Sequence, residues 1–275
     1  MTAQLDTVRW GFSSLGAPEK SLTDLAHTAA AHGIPCLELR TLNGTIDLPV
    51  ELEKQFPNDT DPRPWLADHK VEIICLNSSF KLTQSPESDR ETLAAFARWA
   101  DRLGAPYIRV FGGGKWGDAV EKPAFDRARD HISWWNGAKA GQGWKSEIVL
   151  ETHDAFSGST ECLGLFEEIG QPLPMIWDTH HTWKLAGESP RESWAKIGQH
   201  VRHLHVKDSV SRPSDRHPYT YVHLGEGEFP FTDLFGLIKE VEYRGVIALE
   251  WEKLWHAYLD PMEEALGKAR SNGFW

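Results

Sequence analysis

The chain has 275 residues, 40% hydrophobic and 25% charged, which suits a folded protein with a sizeable core. Its net charge of −11 argues against a general affinity for nucleic acid or anionic membranes. No apolar run reaches the roughly 18 residues of a membrane helix, and the opening MTAQLDTVRWGF lacks the basic and apolar parts of a signal peptide.

Strand-like runs recur at 8–14, 36–42, 71–79, 107–113, 147–154, 175–181, 201–208 and 246–252. Helical patterns separate them. SLTDLAHTAAAHG follows the first run, and the proline-rich segment 47–70 after the second predicts two short helices. SPESDRETLAAFARWADRLGA, STECLGLFEEIG and SPRESWAKIGQH occupy later connections; several of these stretches open on Ser with an acid soon after and close on Gly. The final stretch places Asp260 and Pro261 at an N-cap and first helical position. Eight strand–helix alternations predict an α/β fold, a single-domain (β/α)8 TIM barrel over 1–275. The first turn, SSLGAPEKS, lacks the glycine fingerprint of an open dinucleotide-binding sheet. Cys36, Cys75 and Cys162 are far apart and odd in number, which fits free thiols in a reducing, cytoplasmic setting.

A barrel collects its functional groups where the C-terminal ends of the strands converge. The fifth to eighth runs end in Glu151, Asp178, His205 and Glu250. Steps of 27 residues separate Glu151 from Asp178 and Asp178 from His205; the step to Glu250 is 45, lengthened by SVSRPSDRHPYTYVHLGEGEFPF. Strand residues alternate faces. Val149, Glu151 and His153 therefore share one face, as do His203, His205 and Lys207, and Ala248, Glu250 and Glu252. The apolar residues between them face the helices. Any one of these acids has a plainer reading, pairing with a nearby Arg or Lys. Four groups at one depth on consecutive strands favour a divalent cation, and mostly oxygen donors favour Mn2+ first, then Mg2+ or Co2+.

In their order and spacing, LETHD, WDTHH, HLHVKD, LGEGEFPF and LEWE resemble the sugar phosphate isomerase/epimerase superfamily, the xylose-isomerase-like TIM barrels. Its members include ketose 3-epimerases, hydroxypyruvate isomerase and inosose dehydratase. The resemblance implies one metal ion held by Glu151, Asp178, His205 and Glu250, a carbohydrate substrate, and His181 as a substrate contact. Its implied chemistry is isomerisation or epimerisation of a keto-sugar or polyol. A proton is removed beside a metal-bound carbonyl, giving an enediolate, with Glu151 and Glu250 as acid and base. Dehydration of a keto-sugar or inosose starts from the same step.

The sequence departs from the ketose 3-epimerase pattern at Ser157, where those enzymes carry an acid, and at Ser211, where they carry an Arg. Those departures admit a different polyol, keto-sugar or dehydration substrate. A second comparison is with the apurinic endonucleases, which share Asp178 with His181, Asp215-Arg216-His217 and Leu224-Gly225-Glu226-Gly227. Those enzymes need further His ligands after the third and fourth strands, where this sequence reads ICLNSSF and RVFGGG. Further substrate-contact candidates are His153, Lys207, Arg109, Glu38, Asn77, Trp116 and Trp183, the tryptophans because flat rings pack on sugar C–H faces. Glu38, Arg40 and Arg109 equally fit a structural salt bridge inside the barrel. Oligomeric state is open, with terminal Trp275 a candidate for a homo-oligomer interface.

Overall fold

The computed structural model describes residues 8–275. The chain runs β1 (Arg9–Ser13), α1 (Leu22–His32), β2 (Cys36–Leu39), α2 (Leu48–Gln55), α3 (Arg63–His69), β3 (Glu72–Lys81), α4 (Asp89–Leu103), β4 (Tyr107–Phe111), α5 (Lys122–Gln142) and β5 (Glu147–Glu151). It continues through α6 (Ser159–Ile169), β6 (Met175–Asp178), α7 (Thr179–Lys184), α8 (Pro190–Ile197) and β7 (Val201–Val206). A hairpin of β8 (Asp208–Val210) and β9 (Thr220–Val222) precedes α9 (Phe231–Glu240), β10 (Val246–Leu249) and α10 (Met262–Ser271). Eight parallel strands close into a barrel in the order β1-β10-β7-β6-β5-β4-β3-β2. The proline-rich crossover forms two short helices, α2 and α3, as its sequence predicts.

Face alternation sorts the core into two compartments. Val149, Ile176 and Val246 pack inside the barrel with Cys36, Ile74 and Cys75. Ile148, Leu150, Leu204, Val206, Ile247 and Leu249 join the larger core between strands and helices. All three cysteines are free and buried. Trp275 rests on Trp10 of its own chain, ring centroids 5.0 Å apart, so its ring is partly covered within the protomer.

Seven of the eight barrel strands stop one to three residues short of the sequence runs, β3 ends two residues beyond its run, and two of the short ends bear on the site. The sixth run, expected to reach His181, stops at Asp178, because Asp178 Oδ1 accepts the amides of His180 (3.0 Å) and His181 (2.9 Å) and caps α7. The eighth stops at Leu249, leaving Glu250 just past the strand. The long step to Glu250 is filled by the β8–β9 hairpin and the LGEGEFPF turn. Asp208 gathers that turn, accepting the amides of Ser209, Gly225, Gly227 and Phe229. Gly225 needs its positive φ of 84°, and a Cβ at Gly227 would collide with the Asp208 carboxylate.

Leu204 is fully buried between β6 and β10, in register with Trp177 and Ile247. Leu204→Ala is expected to cost about 2–5 kcal/mol of stability, read from denaturant midpoints. A loss under 1 kcal/mol would contradict this packing.

Candidate metal centre

Glu151, Asp178, His205 and Glu250 each offer a ligand atom, all within 4.8 Å of one another, and all four residues are buried. They sit on or just past β5, β6, β7 and β10, four consecutive barrel strands. The structure brings the predicted quartet together.

Each member has one side already committed. Glu151 Oε2 is held by Arg109 Nη1. Asp178 Oδ1 is spent on the cap of α7. His205 Nε2 lies 3.0 and 2.8 Å from the two Glu38 oxygens, so it donates there and turns Nδ1 toward Glu151 (3.3 Å) and Glu250 (3.4 Å). Glu250 Oε2 meets Lys207 Nζ at 2.6 Å. The remaining atoms Glu151 Oε1, Asp178 Oδ2 and His205 Nδ1 are buried and have no hydrogen bond. Asp178 Oδ2 does lie 2.8 Å from Lys207 Nζ, an ion pair that lacks hydrogen-bond geometry. Orphaned buried atoms are costly. Three carboxylates and an imidazole nitrogen aimed at one point fit a hard divalent cation.

The electrostatics agree. Burial by itself would raise the Glu151 carboxyl, and so would Glu250; Arg109 and His205 outweigh both and hold it below the usual range. Glu250 is pushed up by burial but held well down by Lys207 and His205. Both acids are therefore ionised at neutral pH. His205 is disfavoured as a cation by burial, yet Glu38 and Glu250 raise it well above its ordinary value. Without another cation, a proton on His205 answers the surrounding negative charge.

Other candidates separate into those in the cleft and those behind it. Arg109, His153 and Glu250 line a cleft of about 200 Å³ at the mouth, together with Lys81, Asp154 and Glu252. Trp255 borders the same cleft and is 42% exposed. His181 is 6% exposed; its Nδ1 faces Thr152 O at 2.8 Å and its Nε2 is 3.5 Å from Lys207 Nζ. Lys207 also reaches Glu252 Oε1. Glu38 and Asn77, candidate substrate contacts by sequence, are fully buried. Asn77 Nδ2 donates to Glu38 (3.0 Å), and His203 Nε2 lies 2.6 Å from Glu38 Oε1, so Glu38 stands behind the candidate ligand His205. Trp183 packs on His180 and Phe229, and Trp116 is half-buried in the loop after β4; neither borders the cleft. Ser157 and Ser211 are used locally, in bonds to Asp154 O and to Glu228.

A model of the xylose isomerase-like TIM barrel family matches residues 26–271. The chain belongs to that family. No sequence among the curated proteins matches it significantly. Solved structures similar to it include the probable 3-DHS dehydratase AsbF of Bacillus anthracis, involved in petrobactin synthesis. That pair shares 20% identity at a TM-score of 0.74, over 97% of this chain and 100% of that one. The IolI protein with a bound zinc atom gives 15% identity and 0.74, over 96% of each chain. D-allulose 3-epimerase from Methylomonas sp., in complex with D-allulose, gives 17% and 0.70, over 97% and 96%. At these identities the likeness is one of fold.

Sequence reasoning missed Lys81, Asp154 and Glu252 as cleft residues. Glu252 carried a signal, its shared face with Glu250; Lys81 ends β3 beyond a register shift after Asn77, and Asp154 turns at a φ of 55° past β5, so period-2 patterning describes neither.

Mn2+ titrated into metal-free protein should bind with a stoichiometry near one. Glu38→Gln should weaken that binding about 10–100-fold, because it loosens the orientation of His205. Unchanged affinity in this variant would remove Glu38 from the site's support.

Proposed function

We propose that the protein is a divalent-metal-dependent isomerase or epimerase of a keto-sugar or related polyol. The observation that carries this reading is the quartet itself, with Glu151 and Glu250 at the two ends of the row and Asp178 and His205 between. Glu151, Asp178, His205 and Glu250 would hold a divalent cation, Mn2+ by donor hardness, which would supply Lewis-acid polarisation of the substrate carbonyl. The chain's own residues do the rest. Glu151 and Glu250, both ionised, approach the substrate from opposite sides. One, ionised, removes the proton on the carbon beside the carbonyl, while the other, having taken up a proton from solvent, delivers that proton on the opposite face or on the next atom, and both then exchange with water to restore the starting state. Arg109 fixes the Glu151 carboxylate from behind. His181, held by Thr152 O, points its Nε2 toward Lys207 and orients substrate oxygen. Phe111, Leu15 and Trp255 wall the cleft and limit water.

Lys207 favours dehydration as a second reading. Burial disfavours its charge, but Asp178, Glu250 and Glu252 keep it firmly protonated. After proton removal by a glutamate, the electron pair forms a C=C bond and expels a hydroxyl. Lys207 can protonate that hydroxyl, which leaves as water. The local engagement of Ser157 and Ser211 also fits a substrate other than that of the ketose 3-epimerases.

Incubating metal-loaded enzyme in D2O with ketoses, aldoses, inososes and keto-acids should incorporate deuterium beside the carbonyl of the substrate or its product. Glu151→Gln and Glu250→Gln should each lower turnover about 10²–10⁴-fold, and His181→Ala less. Near-normal turnover in both Gln variants with metal bound would end the two-glutamate mechanism.

Duplex DNA with an abasic site should stay intact in the presence of Zn2+, since β3 and β4 and the residues just past them bring no histidine. Prompt incision would reassign the protein to phosphodiester chemistry.

A further inference from the structure

The cations at the mouth are matched to acids, with one exception. Arg109 is paired with Glu151, and Lys207 with Asp178, Glu250 and Glu252. Lys81 lies 4.0 Å from Asp154, which also takes His153 Nδ1 at 2.9 Å. Arg40, just past β2, forms no ion pair among the described residues. Its Nη1 donates to Asn77 O (3.1 Å) and its Nη2 to Ser79 Oγ (2.9 Å), both neutral acceptors. It is 7% exposed and borders the cleft.

A guanidinium withdrawn from water without a counter-charge is costly. Burial and the neighbouring Arg109 push Arg40 down to about 9, which still leaves it charged at neutral pH. The nearby acids are not free to answer it. Glu151 is shared between Arg109 and the cation site, and Glu250 between Lys207 and that site. Arg40 has five N–H donors, and the two described acceptors leave donor capacity for a further group. A planar fork at the edge of a cleft suits a carboxylate, which accepts two parallel hydrogen bonds.

We propose that Arg40 binds a carboxylate of the substrate, so that the substrate is an anionic sugar acid or polyhydroxy keto-acid and not a neutral ketose. This rests on reading the cleft as the substrate site. The cation site takes the carbonyl end, and Arg40 the acid end. The chain's overall acidity is no obstacle, because Arg40 at the mouth has no paired acid among the described residues.

The test is calorimetric binding to Mn2+-loaded protein. The probes are D-glucuronate and 2-keto-D-gluconate against D-glucose and D-fructose, with D-fructose 6-phosphate as a third arm. At least one acid should bind about tenfold or more tightly than its neutral counterpart, the scale of a charge-assisted pair. Arg40→Met should erase that preference. Arg40→Lys, which keeps charge but loses the fork, should retain part of it, and serves if the Met variant does not fold. The inference is overturned if no acid binds preferentially, if the preference survives in Arg40→Met, or if the phosphate ester is preferred through Arg40. Mn2+ stoichiometry in the same samples keeps the two ideas apart. Metal bound without charge preference sinks only the carboxylate assignment, whereas absence of metal binding sinks the proposed function.

Discussion

Glu38, Glu151, Asp178 and Glu250 place four carboxylates at the end of the barrel where almost no water reaches them. Removing each charge from water costs several kcal/mol unless something answers it. Most of the local architecture is a set of such answers. Backbone amides at the start of α7 take one Asp178 oxygen, Arg109 takes one of Glu151, Lys207 reaches Glu250, and two imidazoles surround Glu38. These partners bind the outer oxygens and leave the inner ones facing a common point. Geometry at the centre is therefore set from behind. Glu151 Oε1, Asp178 Oδ2 and His205 Nδ1, left without hydrogen bonds, are the atoms that suit a cation.

The barrel and the quartet were legible for a simple reason. A parallel strand buried on both faces still alternates, and a polar residue at its C-terminal end has only the mouth to face. Glu151, Asp178 and His205 announced themselves by recurring at one strand–helix interval. What lay behind them did not. Glu38 contacts His205 across 167 residues of sequence, and no local pattern carries that pairing. Glu38 and Asn77 share the polarity of a substrate contact, and only depth in the barrel separates the two roles. Arg40 and Arg109 looked alike in sequence, each a lone Arg in a strand run, and the fold gives one of them a carboxylate and the other none.

The same point explains why WDTHH reads as strand yet folds as strand then helix. Asp178 serves as cap and as candidate ligand at once: one oxygen starts α7 and the other faces the centre. The turn it creates sends the two histidines apart. His181 goes toward Lys207 at the mouth, and His180 goes under the β8–β9 hairpin, against Ser209, Tyr219 and Tyr221. One carboxylate fixes both the register of the cleft wall and the seat of the hairpin.

The contact between Glu38 and His205 has a consequence for the order in which the molecule is made. Glu38 leaves the ribosome early, its histidine much later, and Glu250 later still, 45 residues beyond His205. A nascent chain carrying only the first six strands holds Glu151 and Asp178 without their imidazole, and the imidazole's own support waits at the opposite side of a sheet that has not closed. Such a chain holds a cation poorly, whatever its helices have done, since a ligand that needs all four donors stabilises only the state that presents them. A cluster that needs all four donors is complete only in a closed barrel, so any cation it could hold would be captured after the first and last strands have met.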